Sequence, residues 1–187
     1  MIKAIIFDCF GVLYIHSRHL LTEHFIDNQK EFDDLFLQYN YGHIHPDEYV
    51  QKLSELSGRP TEEMKKFVIG DHVFNEPLYN FLLTLKPNYK IGLLSNIGRG
   101  WIQNFFDEHQ LHDVFDAVVL SGDEGVTKPH PQIYELMSER IGANVNECIM
   151  IDDLPENVAG ADAAGMKGIV YGNLRQMTKE LEELLRA

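Results

Sequence analysis

Asp8 follows an apolar run, Ile5-Ile6-Phe7, and is itself followed by a turn glycine, Gly11. A carboxylate at the C-terminal tip of a buried parallel strand stands where open α/β sheets bind ligands. It serves there as a nucleophile or a metal ligand if it is ionised and aimed out of the sheet; capping the turn is the competing use. Other polar groups stand in a similar relation to apolar runs. Ser95-Asn96 follow one run, Asp152-Asp153 follow another, and Lys128 opens a Lys-Pro-His-Pro segment ahead of the helix before that second run. Ser-Asn is a common helix cap, and a single lysine is most often solvated. The acid pair is more specific, because adjacent carboxylates repel unless a cation holds them. Mg²⁺ prefers one or two carboxylates, waters and phosphate oxygens. Asp8 with Asp152 and Asp153 therefore reads as a Mg²⁺ cradle, beside which Ser95 and Lys128 offer a hydroxyl and a positive charge to an anionic group.

These groups need a parallel sheet to bring them together, and the pattern of the chain supplies one. The first strand is expected over residues 3–8 and regular alternation resumes at Asn75, which is placed to cap a helix carrying Leu78, Phe81, Leu82 and Leu85. Strands are expected at 90–94, 117–120, 148–151 and 168–171. Between them lie helices that bury Trp101 to Phe106, Ile133 to Ile141 (closed by Gly142) and Val158 to Ala164 (opened by Pro155, closed by Gly165), with a last helix carrying Met177 and Leu181. Strands alternating with helices imply a parallel sheet with right-handed crossovers.

Residues 16–75 show helical spacing and no strand signal: Phe32, Leu35, Phe36 and Tyr39; then Tyr49, Val50, Leu53 and Leu56, opened by Pro46 and closed by Gly58; then Met64, Phe67 and Val68. This stretch is too long for a crossover and is expected to be a small inserted helical subdomain. The expected division is 1–14 with 76–187 as the main domain and 15–75 as the insertion.

Composition narrows the partners. The chain has 187 residues, enough to bury a real core, and its net charge of −13 argues against a nucleic-acid partner, since phosphate backbones need clustered Lys and Arg. Cys9 and Cys148 lie in or beside apolar strands without metal-ligand spacing, as reduced thiols in a cytoplasmic protein would. Met1 leads straight into a strand, with neither a signal peptide nor an apolar run of membrane length, so no membrane partner is expected.

Taken in order, FDxxGV at Asp8, LLSN at Ser95, KP at Lys128 and IDDxxxN at Asp152 resemble the haloacid dehalogenase-like (HAD) hydrolase superfamily across essentially the whole chain. The resemblance implies a Rossmann-like sheet of order 5-4-1-2-3 with a helical C1-type cap. It implies that Asp8 is the nucleophile of a covalent aspartyl intermediate, that Ser95 and Asn96 bind phosphate, and that Lys128 steadies both. It further implies Mg²⁺ held by Asp8, the Phe10 backbone carbonyl, Asp152 and Asp153, with Asn157 orienting the acids, and a small phosphorylated metabolite as substrate.

One position departs from the pattern. Phosphatases of the superfamily carry a second Asp two residues after the nucleophile, where this chain has Phe10. General acid–base help is typically worth about 10²–10⁴ in rate. The main reading is a Mg²⁺-dependent phosphatase with a good leaving group or a borrowed donor, for which His43 and His45 on the 41–46 loop are the candidates. His16, Arg18 and His19 are further candidates to line the site. A 2-haloacid dehalogenase is the alternative that an aromatic residue at position 10 suggests, but the acid pair favours phosphate. A binding protein that has lost catalysis is the third reading.

Overall fold

The computed structural model describes residues 1–15, 25, 28–70, 72–106 and 108–186, so His16, Arg18, His19 and the Phe67 side chain lie outside it. The first apolar run is β1 (Ala4–Phe7), buried at every position. Successive side chains leave a strand on opposite faces. Ile5 and Phe7 accordingly join one core and Ala4 and Ile6 a second, which is why the run is continuously apolar.

Two short strands follow the main pattern poorly: β2 (Tyr14–Ile15) and β3 (Val73–Phe74) pair with each other antiparallel. The remaining strands, β4 (Lys90–Ser95), β5 (Ala117–Leu120), β6 (Cys148–Asp152) and β7 (Lys167–Val170), form with β1 a parallel sheet of order β5-β4-β1-β6-β7. This is the expected 5-4-1-2-3 once the short strands are numbered in. Phe7 is level with Leu93 of β4 on one side and Ile151 of β6 on the other. The three polar strand ends therefore emerge side by side at the point where crossovers change direction, the usual ligand crevice of such sheets.

Helices cover both faces. Leu78 and Leu82 of α4 (Glu76–Leu85) and Met177 and Leu181 of α9 (Leu174–Arg186) pack with Ile5 and Phe7. Ile133, Met137 and Ile141 of α7 (Pro131–Ile141) and Ala161 of α8 (Pro155–Ala164) pack with Ala4 and Ile6. The expected stops hold: Asn75 accepts from the Leu78 N–H (3.4 Å), and Gly58, Gly142 and Gly165 end helices in the left-handed conformation. The helix expected over Trp101 to Phe106 is instead a 3₁₀ turn at Ile102–Asn104 followed by α5 (Glu108–Val114). Gly100, at φ +77, breaks the chain just before it, and Trp101, Ile102 and Phe106 turn inward from the turn.

Among the described residues three helices fill the excursion between β2 and β3: α1 (Gln29–Asn40), α2 (Pro46–Ser57) and α3 (Thr61–Gly70). The β2–β3 ribbon ties its two ends together, and the Asn75 N–H donates to the Leu13 carbonyl (2.9 Å) beside it. The end of α1 is pinned to the sheet domain. The Ser121 hydroxyl, on the one-turn α6 (Ser121–Glu124), donates to the Asn40 carbonyl (2.6 Å) and accepts from the Ile97 N–H (3.0 Å). Tyr39 stacks on Tyr49 at 4.1 Å and meets Trp101 edge-on at 5.8 Å. Gly42 completes the contact: at φ +71, a Cβ there would lie 2.1 Å from the Gly122 carbonyl oxygen. No helix among the described residues is long and apolar enough to cross a membrane.

Gly42→Ala should lower stability by ~2 kcal/mol or more, from backbone strain and from pushing α1 off α6. Thermal unfolding checks this, and a melting temperature unchanged within a degree would show that the contact tolerates the methyl group.

Candidate active site

Asp8 leaves the end of β1 6% exposed, its N–H donating to the Ile151 carbonyl (2.9 Å) of the neighbouring strand. Its Oδ1 accepts from the Cys9 N–H (2.7 Å) and from the Lys128 ammonium (2.8 Å), so the residue caps its turn and also faces a buried cation. The Cys9 thiol beside it is held well above its ordinary pKa by burial and by the Asp8 charge, and stays protonated.

Lys128 is not a solvated lysine. Its side chain is 1% exposed, and the ammonium's three acceptors are Asp8, Asp152 Oδ2 (2.6 Å) and the Leu94 carbonyl (3.0 Å). Asn96 aims it. The Asn96 amide donates to the Lys128 carbonyl and accepts from the Lys128 N–H, both at 2.9 Å. The side chain clamps the lysine segment to the end of β4, a role the sequence did not suggest. Nor does Ser95 cap a helix. It is the last residue of β4, fully buried, and its hydroxyl has no hydrogen-bond partner among the described residues.

Asp152 is wholly buried, and both its oxygens are occupied. Oδ2 accepts from Lys128 and from the Asn157 amide (3.1 Å), and Oδ1 from the same amide (3.0 Å) and from the Leu154 N–H (2.9 Å). The backbone carbonyl of Asn157 in turn accepts from the Tyr134 hydroxyl (2.6 Å). Asp153 is half-buried and lies over Gly11, where a Cβ would stand 2.2 Å from Asp153 Oδ2. Gly11, at φ +88, thus leaves room for the second acid.

Asp8, Asp152 and Asp153 each offer an oxygen, and these atoms lie within 4.8 Å of one another. Three carboxylates against one ammonium (−3 + 1) leave a charge of −2 when all are ionised. Burial, then the charge of Asp152, push the Asp8 pKa up to about 7 in spite of Lys128. Burial by itself would depress the Lys128 pKa, but Asp8 and Asp152 outweigh it and hold it raised, so the lysine stays charged. The donor set is all oxygen, tightly grouped and short of positive charge, which suits a hard divalent cation such as Mg²⁺.

Above the acids lies a cavity of about 480 Å³ between the sheet domain and the helices α1 to α3. Asp8, Lys128, Asp153 and Asn157 line it. Phe10 lines it too, its ring meeting Phe105 at 4.8 Å and His72 at 5.1 Å, both edge-on. The candidate donors His43 and His45 are not among its lining residues. His43 is exposed and stacks on Tyr41, and His45 caps α2, its Nδ1 accepting from the Asp47 N–H (3.3 Å). Among the described residues His72 is the histidine that lines the cavity, and it carries no local sequence signal.

Lys128→Met should destabilise the fold by about 3–5 kcal/mol at pH 8, because it leaves buried acids without their cation. Without the ammonium the Asp8 pKa, already raised, rises further above its unfolded value, so the folded variant binds more protons than the unfolded chain. Its stability then falls as pH rises. The deficit relative to wild type should shrink towards pH 5 in urea titrations; an equal deficit at pH 5 and pH 8 would contradict a charge-compensating lysine.

A model of haloacid dehalogenase-like hydrolases matches residues 2–165. The chain is 28% identical over 195 residues to a sesquiterpene phosphatase of Aspergillus oryzae, covering 98% of this chain and 96% of that one. It is also 28% identical over 208 residues to a D-ribitol-5-phosphate phosphatase of Bacteroides thetaiotaomicron, covering both chains fully. The crystal structure of a wild-type HAD family enzyme from the same bacterium, in complex with magnesium and inorganic phosphate, superposes with a TM-score of 0.77 at 26% identity, over 92% of this chain and 95% of that one. With the strand-end acids, the buried lysine and the sheet order already on hand, the match over most of its length makes the conclusion direct: this chain belongs to the haloacid dehalogenase-like hydrolase family.

Proposed function

We propose that the protein is a Mg²⁺-dependent phosphohydrolase, acting on phosphomonoesters or acyl phosphates of small metabolites through a phosphorylated Asp8. The observation that carries this reading is the deficit of positive charge around Asp8, Asp152 and Asp153, where Lys128 pairs with only the first two, and the unpartnered Ser95 hydroxyl nearby. The phosphatase names of two relatives and the magnesium and phosphate bound in a structural neighbour support it. Those relatives act on a sesquiterpene and a sugar alcohol phosphate by name, so between them they leave the substrate's alcohol open.

Asp8, Asp153 and the Phe10 carbonyl would hold the ion, which would balance the acids and polarise phosphoryl oxygens. Asp152 stands in the same cluster, but its oxygens already accept from Lys128, Asn157 and Leu154, so we assign it to aligning Lys128. The second oxygen of Asp8 attacks phosphorus as the bond to the departing alcohol oxygen breaks. Ser95 donates to a phosphoryl oxygen, and Lys128 offsets the charge on Asp8. Water then attacks phosphorus, restoring the Asp8 carboxylate and releasing inorganic phosphate. We read residues 15–75 as the cap that keeps bulk water from this chemistry, over a core of 1–14 and 76–187.

Phe10 gives the departing oxygen no proton, so the rate should depend on how well that oxygen leaves unaided. It is also the one observation that favours halide departure, and a single set of assays separates the readings. We expect p-nitrophenyl phosphate to be hydrolysed with Mg²⁺, with activity lost in excess chelator and in Asp8→Asn, and no halide released from 2-chloropropionate. Turnover that survives the chelator or Asp8→Asn would contradict the proposal, and halide release would favour the dehalogenase.

A further inference from the structure

The cavity over Asp8 is walled largely by hydrocarbon. Phe10 and Phe105 line it from the sheet domain, and Phe36, Leu37 and Val68 from the helical layer. Leu37 is 51% exposed while lining it, so the apolar surface continues to the solvent. Two of the amides that would suit a sugar's hydroxyls are engaged elsewhere. Of the three asparagines lining it among the described residues, Asn96 clamps the Lys128 backbone and Asn157 donates to both oxygens of Asp152. Lys128 is the only lysine or arginine lining it among the described residues, and it is bound to Asp8 and Asp152. The other acids on the wall, Asp33, Asp34 and Glu156, are exposed and repel a second anionic group.

On the phosphatase reading above, we propose that the substrate's alcohol is an apolar hydrocarbon, an alkyl chain or a fused ring, and that polyol phosphates and bisphosphates are rejected. A space of about 480 Å³ accommodates such a group, within the usual range of pockets that bury a ligand. Each methylene moved from water onto these walls should strengthen binding by about fourfold. Each hydroxyl left without a partner there should weaken it roughly 5- to 150-fold.

The test keeps the leaving group constant. Glycerol 1-phosphate, n-butyl phosphate and n-octyl phosphate all release a primary alkoxide, and 1-naphthyl phosphate tells ring from chain. With the Mg²⁺-loaded protein, kcat/KM for octyl should exceed butyl by up to about 250-fold, fourfold for each of the added methylenes, with glycerol phosphate lowest. Phe36→Asn, which puts an amide into the wall, should flatten the octyl-to-butyl ratio. Calorimetry with n-octylphosphonate and methylphosphonate gives a readout free of catalysis: the octyl compound should bind more tightly and with a more negative heat-capacity change. Glycerol phosphate matching or exceeding octyl phosphate would overturn the proposal, as would equal binding of the two phosphonates. If no phosphate ester is hydrolysed, p-nitrophenyl phosphate included, the phosphatase reading fails by itself, and the phosphonate comparison still decides whether the apolar site stands.

Discussion

Three carboxylates cluster around one buried ammonium that pairs with only two of them, and the rest of the molecule can be understood as holding that imbalance in place. Parallel pairing of β1 with β6 makes Asp8 and Asp152 neighbours. Lys128 reaches both because Asn96 fixes its backbone to the end of β4, so the cation is delivered from a third strand. The arrangement is under tension: burial and Asp152 raise the Asp8 pKa to about 7 even with Lys128 at 2.8 Å. Clusters of this kind add little to stability and are strongly destabilising when one partner is removed. A fold keeps such a cluster where chemistry needs it, and the strain here is concentrated on the one carboxylate proposed as the nucleophile.

The helical layer answers a different constraint. A charged cluster at an open sheet edge would sit in water, where its electrostatics are weak. The β2–β3 ribbon, the Ser121 bridge to Asn40 and the close approach of Gly42 to Gly122 hold α1 to α3 over the cluster and leave a cavity between. Phe10 and Phe105 meet edge-on and line that cavity from the sheet domain, so the residue that departs from the family pattern also shapes the space above the nucleophile.

What could be read from the sequence follows from how local each signal is. Asp8, Ser95 and the Asp152-Asp153 pair were legible because each closes an apolar strand, a pattern contained in about six residues, and the sheet order then brings them together. Asn96 was legible as a site residue but not in its role, since its partner is 32 residues away and the contact depends on the packed backbone. His43 and His45 were chosen for lying on a polar loop, whereas His72 reaches the cavity only because the two-residue β3 brings the chain back beside Phe10. A strand of two residues carries no periodicity to read. The Trp101 to Phe106 segment misled for the opposite reason: its apolar spacing matches a helix face, but Gly100 in the left-handed conformation starts it as a short 3₁₀ turn.

The central claim is that a divalent cation completes the charge balance and does so by displacing the proton that burial keeps on Asp8. Calorimetric titration of Mg²⁺ in buffers of different ionisation enthalpy counts that proton directly. With Asp8 at about 7 in the metal-free protein, binding at pH 6 should release close to one proton per ion, and at pH 8 only ~0.1. Binding heats that do not vary with the buffer at pH 6 would contradict the account, because Asp8 would then already be ionised and the cluster would not need the ion to become so.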